Sequence, residues 1–596
     1  MCGIIGYVGK KKCIPIIIDG LKALEYRGYD SAGIATIKNN KINIVKEKGK
    51  LNNLEKKLDF NDSSTIGIGH TRWATHGKVT IKNAHPHTYE KITLVHNGII
   101  ENYLQLKEEL TNNGYKFYSD TDTLIACAYI NYLYSKNKDM LKTLTEITKI
   151  FKGSYSFGII NTDYNDTLFA VRKDSPLIIA KGKNENFISS DIRGVAKYTN
   201  KYMILDNYDI AILTKDDIKF YNNSKEITKE ILTFVDETKD TELGNYKHYM
   251  LKEIEEQDVV LKNLMKDYKT KELIIKNIKD ISKFKKIDIV GCGSAYHAGL
   301  IGKYLIEEYG NTCVDVHIAS EYRYKKLFLD KDTLVILISQ SGETADTLAS
   351  LRIAKEHGAT TLGIINVFAS SIAREADEVI YIKAGTEKSV ATTKAYLLQS
   401  FILSLLAIRL GIEKKVFNDK ELDKILKDMN NLPKLIKEET RKSYKDLAST
   451  IYKNNDAYFL GRNIDYATSM EGSLKLKEIS YIHAESYAAG ELKHGTISLI
   501  DKNTLVIATV TKDTIIDKTI SNIKEVKARD AYVVLITNKD NNYDCYDKLV
   551  LVNNTHPIFQ PLINIIPHQL LSYEIASLRG CDIDKPRNLA KSVTVE

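Results

Sequence analysis

The heptapeptide DKDTLVI at residues 330–336 recurs, with one change, as DKNTLVI at residues 501–507. The likeness extends on both sides. FKKIDIVGCG answers DAYFLGRN, TTLGIINV answers AYVVLITN and DEVIYI answers DKLVLV, in one order and at nearly one offset. Apolar β-prone runs alternating with helical stretches make a parallel α/β sheet with crossover helices. A repeat of this length sets the architecture ahead of any single motif. The chain beyond about residue 246 therefore holds two copies of one doubly wound domain, joined by a helical stretch at about 411–450.

The copies diverge after the central strand. Copy one continues ILISQSGETADTLASL, copy two ATVTKDTIIDKTI. Ser339, Gln340, Ser341 and Thr344 thus stand between a buried strand and a helix, where backbone N–H groups, an amide and hydroxyls can cradle a phosphate. A ligand-free Ser/Thr helix cap is the commoner use of such residues. The position favours the ligand, because open α/β sheets bind at the carboxyl ends of their strands. In copy two Val510, Thr511 and Lys512 stand in place of Ser339, Gln340 and Ser341, so one copy is expected to bind and the other to pack.

Residues 1–234 have another texture, short strands with Gly and Asn turns, such as STIGIGHTRW and ITLVHNGII, and a few helices, one from Asp122 through Tyr134. VDETKDTELGN, residues 235–245, is acidic, poor in apolar residues and reads as a linker. The expected division is 1–234, a linker 235–245, copy one at 246–430, copy two at 431–587 and a tail at 588–596. At 596 residues, several cores are needed.

The net charge of +8 is spread without a dense Lys/Arg block, which argues against nucleic acid as a partner. No apolar run is expected to reach the roughly 18 residues of a membrane helix, and no signal segment opens the chain. Seven scattered cysteines without a C-x-x-C pair suit a reducing, cytoplasmic setting. Five of the 13 histidines fall between His70 and His96, yet without HExxH or a companion Cys pattern no metal is expected. Cys2 follows a removable methionine. The usual reading is a small apolar residue opening a strand; the alternative is an N-terminal nucleophile whose own α-amine is its base.

MCGIIGYVG, LEYRGYDSAG, GHTRWATHG, HNGIIEN, SDTDT, SQSGET, GTEKSVATTKA, LKLKEISYIHAESYAAGELKHG and PRNLAKSVTVE occur in that order. Together they resemble the glutamine–fructose-6-phosphate aminotransferase (isomerising) family over the whole length. The resemblance implies an N-terminal-nucleophile αββα glutaminase domain followed by two doubly wound sugar-isomerase (SIS) domains, with no cofactor and no metal. It makes Cys2 the nucleophile once Met1 is removed. A thiol of pKa ~8.5 beside an amine of ~7.7–8.0 has a proton acceptor within its own residue. Asn97 and the Gly98 N–H match the oxyanion donors, although an isolated Asn-Gly pair is more often a hairpin turn. Arg72 matches the residue that holds the substrate α-carboxylate and Asp122 the one that holds the α-ammonium, with Thr75 and His76 in the same pocket and Arg27 and Gly28 lining it. Trp73 matches a gate on the ammonia path.

In the second half the resemblance assigns fructose 6-phosphate as acceptor. Ser339, Gln340, Ser341 and Thr344 match its phosphate ligands, and Cys292, Gly293, Ser294, Val390 and Thr392 surround its hydroxyls. Ala295 and Thr392 depart from the bacterial pattern, which has Ser at both places. Glu478 matches the base that moves a proton between C1 and C2. Lys475 matches a residue paired with the sugar oxygens, although an i,i+3 Lys/Glu pair is ordinarily a surface ion pair. His494 matches a ring-opening acid/base donated by a neighbouring subunit, which implies a homodimer. Lys591 matches a Schiff-base lysine, in a tail that a terminus would otherwise leave solvated. Two other readings remain at this stage. One is a glutaminase with a different acceptor, as in amidophosphoribosyltransferase or asparagine synthetase, against which SQSGET argues. The other is a non-catalytic sugar-phosphate regulator, which would have no use for Cys2, Glu478 or Lys591.

Overall fold

A computed structural model describes residues 2–594 apart from 26–27, 74–76, 235–241 and 540. The chain divides into two compact units, Met1–Glu237 with Ala590–Glu596, and Thr238–Leu589.

The first unit is built from two antiparallel sheets. Gly3–Val8 lies inside an eight-stranded sheet, between Asn186–Ser189 and Ile66–Arg72 and antiparallel to both. Its six residues are all buried, because each side of the strand meets a different layer. Ile4 and Val8 enter the core shared with Val95, Ile160 and Leu168 of the seven-stranded second sheet. Ile5 and Tyr7 point the other way, against Ile14, Ile17 and Leu21 of helix Cys13–Leu24. Strand alternation with period 2 thus serves two cores at once. The far face of the second sheet is covered by helices Tyr103–Asn112, Asp122–Asn137 and Met140–Ile150. The layering is α, β, β, α, as expected.

The second unit contains the repeat as two five-stranded parallel sheets with the same strand order, 2-1-3-4-5 in the numbering of each copy. Copy one uses Lys286–Gly291, Cys313–Ile318, Thr333–Ser339, Thr360–Ile365 and Glu378–Tyr381. Copy two uses Asp456–Gly461, His483–Ala488, Leu505–Val510, Tyr532–Thr537 and Lys548–Leu551. The second strand of each set is an edge strand that the repeat of four runs did not include. Ile289 and Ile336 of one sheet and Phe459 and Ile507 of the other belong to a single core, continuous through Phe401, Leu405, Ile563 and Ile566 of two buried helices. The first helices of the copies, Ser294–Gly310 and Ile464–Ser480, pack on each other. The joining stretch is helical at Asp419–Thr440 and Lys445–Ile451, and residues 430 and 431 lie inside the first of these.

One expectation needs correction. Helix Lys394–Glu413 is long and apolar enough to cross a membrane. Eighteen of its residues, including Arg409, are buried inside the shared core, which accounts for its composition without a bilayer.

Candidate active sites

In the first unit, the strand that starts at Gly3 brings Cys2 beside the end of Ile66–Arg72, in the register Gly3 to Thr71. The Gly3 N–H donates to Thr71 Oγ1 (3.2 Å) and the Trp73 N–H to Cys2 Sγ (3.2 Å). Cys2 is half-buried. Burial pushes its thiol pKa up, while the Trp73 N–H and Arg72 pull it down.

Asn97 and Gly98 do not form a turn; they lie within the nine-residue strand Ile92–Ile100. The Asn97 Nδ2 donates to the Cys2 carbonyl oxygen at 2.8 Å. Its Oδ1 is held 3.0 Å from His70 Nε2, which is also 3.0 Å from the His96 carbonyl oxygen. Both partners can only accept, so His70 carries its proton on Nε2. Gly98 has φ +131°, and a Cβ there would sit 2.0 Å from the Ser154 carbonyl oxygen, so only glycine fits.

Asp122 opens helix Asp122–Asn137, whose N-cap is Thr121. Its Oδ2 accepts the Ile100 N–H and its Oδ1 the Thr123 N–H, both at 2.9 Å. Arg72 is 3 % exposed. Burial lowers its pKa, and the charges of Cys2, Asp122 and Asp30 oppose that shift. Arg72 is thus within electrostatic reach of both the thiol and Asp122. Gly28 is buried, Trp73 is half-buried, and Arg27, Thr75 and His76 lie outside the described residues.

Behind Asn97 the rings of His70 and His85 stack at 4.2 Å, and His87 meets His85 edge-on at 5.1 Å. Burial lowers all three pKa values, that of His70 to about 3. They are neutral packing groups at ordinary pH, and His70 orients the Asn97 amide. The sequence reading missed that role, for which the only signal was the clustering.

In the second unit the copy-one loop follows strand Thr333–Ser339 and leads into helix Ala345–Glu356. Ser339 Oγ lies 2.9 Å from Thr344 Oγ1 and accepts the Gly342 N–H at 3.0 Å. Ser341 Oγ accepts the Glu343 N–H at 3.2 Å. The Gln340 carbonyl oxygen accepts the Asn366 N–H at 3.3 Å. Gly342, at φ +63°, abuts Ser370 so closely that a Cβ would overlap its hydroxyl.

Cys292 and Gly293 form the turn after the first strand of copy one, and Ser294 begins the helix after it. Ser294 Oγ donates to Glu471 Oε1 at 2.8 Å and accepts from Lys475 Nζ at 3.1 Å. Lys475 is wholly buried and pairs with Glu478 at 2.6 Å and Glu471 at 3.3 Å. Glu471 also meets His297 Nδ1 at 2.8 Å. Burial alone would lower the Lys475 pKa, but the two carboxylates outweigh it and hold the value above normal. Burial would likewise raise Glu471, and Lys475 and His297 reverse that. Lys475 is therefore an interior ammonium rather than half of a surface pair, and Ser294 and His297 tie it and Glu471 to the other copy. Glu471, the hub of this network, was not singled out in the sequence. Its signal was a helix face carrying Glu, Lys and Glu at 471, 475 and 478.

Val390 is buried, and its N–H donates to the Asp584 carbonyl oxygen at 3.0 Å. Thr392 Oγ1 donates to Glu387 Oε2 at 2.5 Å. His494 ends a short exposed helical turn, Glu491–His494, and among the described residues no hydrogen bond or ion pair joins it to Lys475 or Glu478. Lys591 is half-buried and belongs to the segment that clusters with the first unit.

Residues 70–197 match the glutamine amidotransferase domain family, and residues 280–409 and 450–579 each match the SIS domain family. A glutamine–fructose-6-phosphate aminotransferase [isomerizing] of Clostridium tetani is 49% identical over 612 residues, which cover all of both chains. The corresponding protein of Caldanaerobacter subterraneus subsp. tengcongensis is 45% identical, again over the full length of both. The solved C-terminal domain of a glucosamine-fructose-6-phosphate aminotransferase from Francisella tularensis is 37% identical with a TM-score of 0.55. It aligns over its whole length with 58% of this chain.

Proposed function

Because this chain belongs to the glutamine–fructose-6-phosphate aminotransferase (isomerising) family, we propose that it makes glucosamine 6-phosphate and glutamate from fructose 6-phosphate and glutamine by the following division of labour. Once Met1 is removed, the freed α-amine of Cys2 takes the thiol proton as Sγ attacks the side-chain amide carbon of glutamine. The developing oxyanion accepts from Asn97 Nδ2 and the Gly98 N–H. Arg72 holds the substrate α-carboxylate and Asp122 the α-ammonium, with Thr75 and His76 beside them. Collapse expels ammonia and leaves a thioester, which water hydrolyses to glutamate.

The phosphate of the ketose sits on Ser339, Gln340, Ser341 and Thr344, and its hydroxyls meet Cys292, Gly293, Ser294, Val390 and Thr392. His494, reaching in from a second copy in a homodimer, opens the ring. Its exposure in the single chain supports that role. The Lys591 amine condenses with the C2 carbonyl and releases water. Ammonia then displaces the lysine, and Glu478 carries a proton from C1 to C2, giving the aldose. Ammonia passes internally, with Trp73 as its gate. The division 1–234, 235–245, 246–430, 431–587 and 588–596 separates these tasks. Seven free thiols suit the cytoplasm.

The observation that carries the reading is Lys475. A wholly buried ammonium bonded to Glu478 and to Ser294 of the other copy gathers a proton carrier and a sugar-binding turn into one charged interior. The test is a coupled assay that follows glutamate and amino sugar together. Cys2→Ala is expected to abolish glutamine-dependent synthesis. A variant that kept the normal rate would overturn the assignment.

A further inference from the structure

Copy two keeps the strand register and the first turn of copy one, although the loop after its third strand departs at Asp513, which opens a short helical turn where copy one has Gly342 at φ +63°. The two sheets share one register: Ile287 pairs with Leu334 as Ala457 pairs with Leu505. Continuing from these pairs, Thr511 falls at the place of Gln340 and Lys512 at that of Ser341. The turns after the first strands also coincide. Gly293 has φ 55° and ψ −125°, and Asn463 has φ 54° and ψ −128°. In copy one a Cβ on Gly291 would meet the backbone of Ala295, and in copy two a Cβ on Gly461 would meet that of Asp465. Ala295 and Asp465 are therefore equivalent positions.

Their side chains do opposite things. The Ala295 methyl can accept no hydrogen bond. Asp465 is 3 % exposed, and its carboxylate is turned into the copy-two loop. Oδ2 accepts the Thr511 N–H at 2.7 Å and the Lys512 N–H at 3.0 Å. Oδ1 accepts the Thr511 hydroxyl at 2.6 Å and Asn564 Nδ2 at 3.4 Å. Two successive backbone N–H groups and a hydroxyl at the end of a central strand are the donors an oxyanion uses in such folds. Here the oxyanion belongs to the chain itself. The Lys512 ammonium is also engaged, paired with Glu308.

We infer that Asp465 is a built-in anion filling, in copy two, the cradle that copy one offers to a phosphate, so that each chain takes its sugar phosphate in copy one alone. The inference rests on the proposed role of the Ser339 loop and adds that the second cradle is closed by one carboxylate rather than lost.

The experiment uses the full chain and inorganic phosphate. Asp465→Ala installs the residue that copy one carries. Equilibrium dialysis with labelled phosphate is expected to find one more phosphate bound per chain than in the unmodified protein. A crystal of the variant grown with phosphate should show that ion on the Thr511 and Lys512 N–H groups. A folded variant that gains no phosphate overturns the inference. So does a phosphate on those two N–H groups in the unmodified chain, a result that needs no substitution. The reading of copy one has its own arm: Ser339→Ala with Thr344→Ala should weaken fructose 6-phosphate binding at least tenfold in the otherwise unmodified chain. Failure there would remove the Ser339 assignment while the phosphate difference at copy two still judged Asp465.

Discussion

Single side chains in this molecule are constrained by what sits within one bond of them. At Gly98 the backbone turns its N–H inside a strand at φ +131°, with the Ser154 carbonyl where a Cβ would be. Gly98→Ala is expected to cost about 3 kcal/mol or more through positive φ and backbone collision together. It should lower glutamine hydrolysis further than stability alone explains, because the N–H moves with the strand; thermal unfolding and glutaminase kinetics check both. Lys475 is constrained by charge. Removing the ammonium in Lys475→Met takes the cation from Glu478 and leaves the wholly buried Glu471 with only Ser294 and His297 of its partners. Breaking a buried pair in this way typically costs about 3–5 kcal/mol. Adding Glu471→Gln to Lys475→Met should recover part of that loss, as a denaturant midpoint would reveal. An additive pair of effects would contradict the network.

At the scale of elements, sequence and structure part company where an element is polar or single. The central strands of both copies were legible because they are buried on both faces and read as continuous apolar runs. The edge strands CVDVHI and HAESYA were not. They are only half-buried, so their polar residues break the run. The Asn97-Gly98 pair misleads for a related reason, since local turn chemistry is overridden by pairing with Gly153–Asn161. Candidates carried by motifs, such as Cys2 and Glu478, can be named from the sequence, and their catalytic roles remain those proposed above. Glu471, Asp465 and His70 were not legible, because each acts through a partner far away in sequence.

The histidine layer behind Asn97 has a consequence for stability. His70, His85 and His87 are neutral when folded, with pKa values pushed far below 6.5 by burial, that of His70 to about 3. Below pH 6.5 the unfolded chain binds protons that the folded chain refuses, so stability is full above that pH and falls as pH drops. The loss approaches about 1.4 kcal/mol per pH unit for each such residue. Trp73 is the only tryptophan and lies in the same unit, so its fluorescence reports this unfolding. The Trp73-detected denaturant midpoint is expected to fall between pH 6.5 and 4.5. A constant midpoint over that range would contradict the burial of these rings as neutral groups.

For the whole molecule, the repeat was legible but its fusion was not. Two copies of one sheet read as two domains. In the structure they share a continuous core and a buried charge network in which Ser294 and His297 of one copy serve Glu471 and Lys475 of the other. What the single chain leaves outside this network is His494, exposed on its short turn. If a second copy supplies it, each site combines Glu478 of one chain with His494 of the next, and two inactive variants can repair each other. Chains carrying Glu478→Gln are mixed with chains carrying His494→Ala, then unfolded and refolded together so that subunits exchange. Random pairing makes half the dimers mixed, and each mixed dimer has one site with both residues intact. Amino-sugar synthesis should therefore return to about a quarter of the unmodified rate. Donation within one chain predicts no recovery at any mixing ratio, because every site then lacks one of the two residues, while glutamine hydrolysis, which uses neither, should persist throughout as the control for refolding.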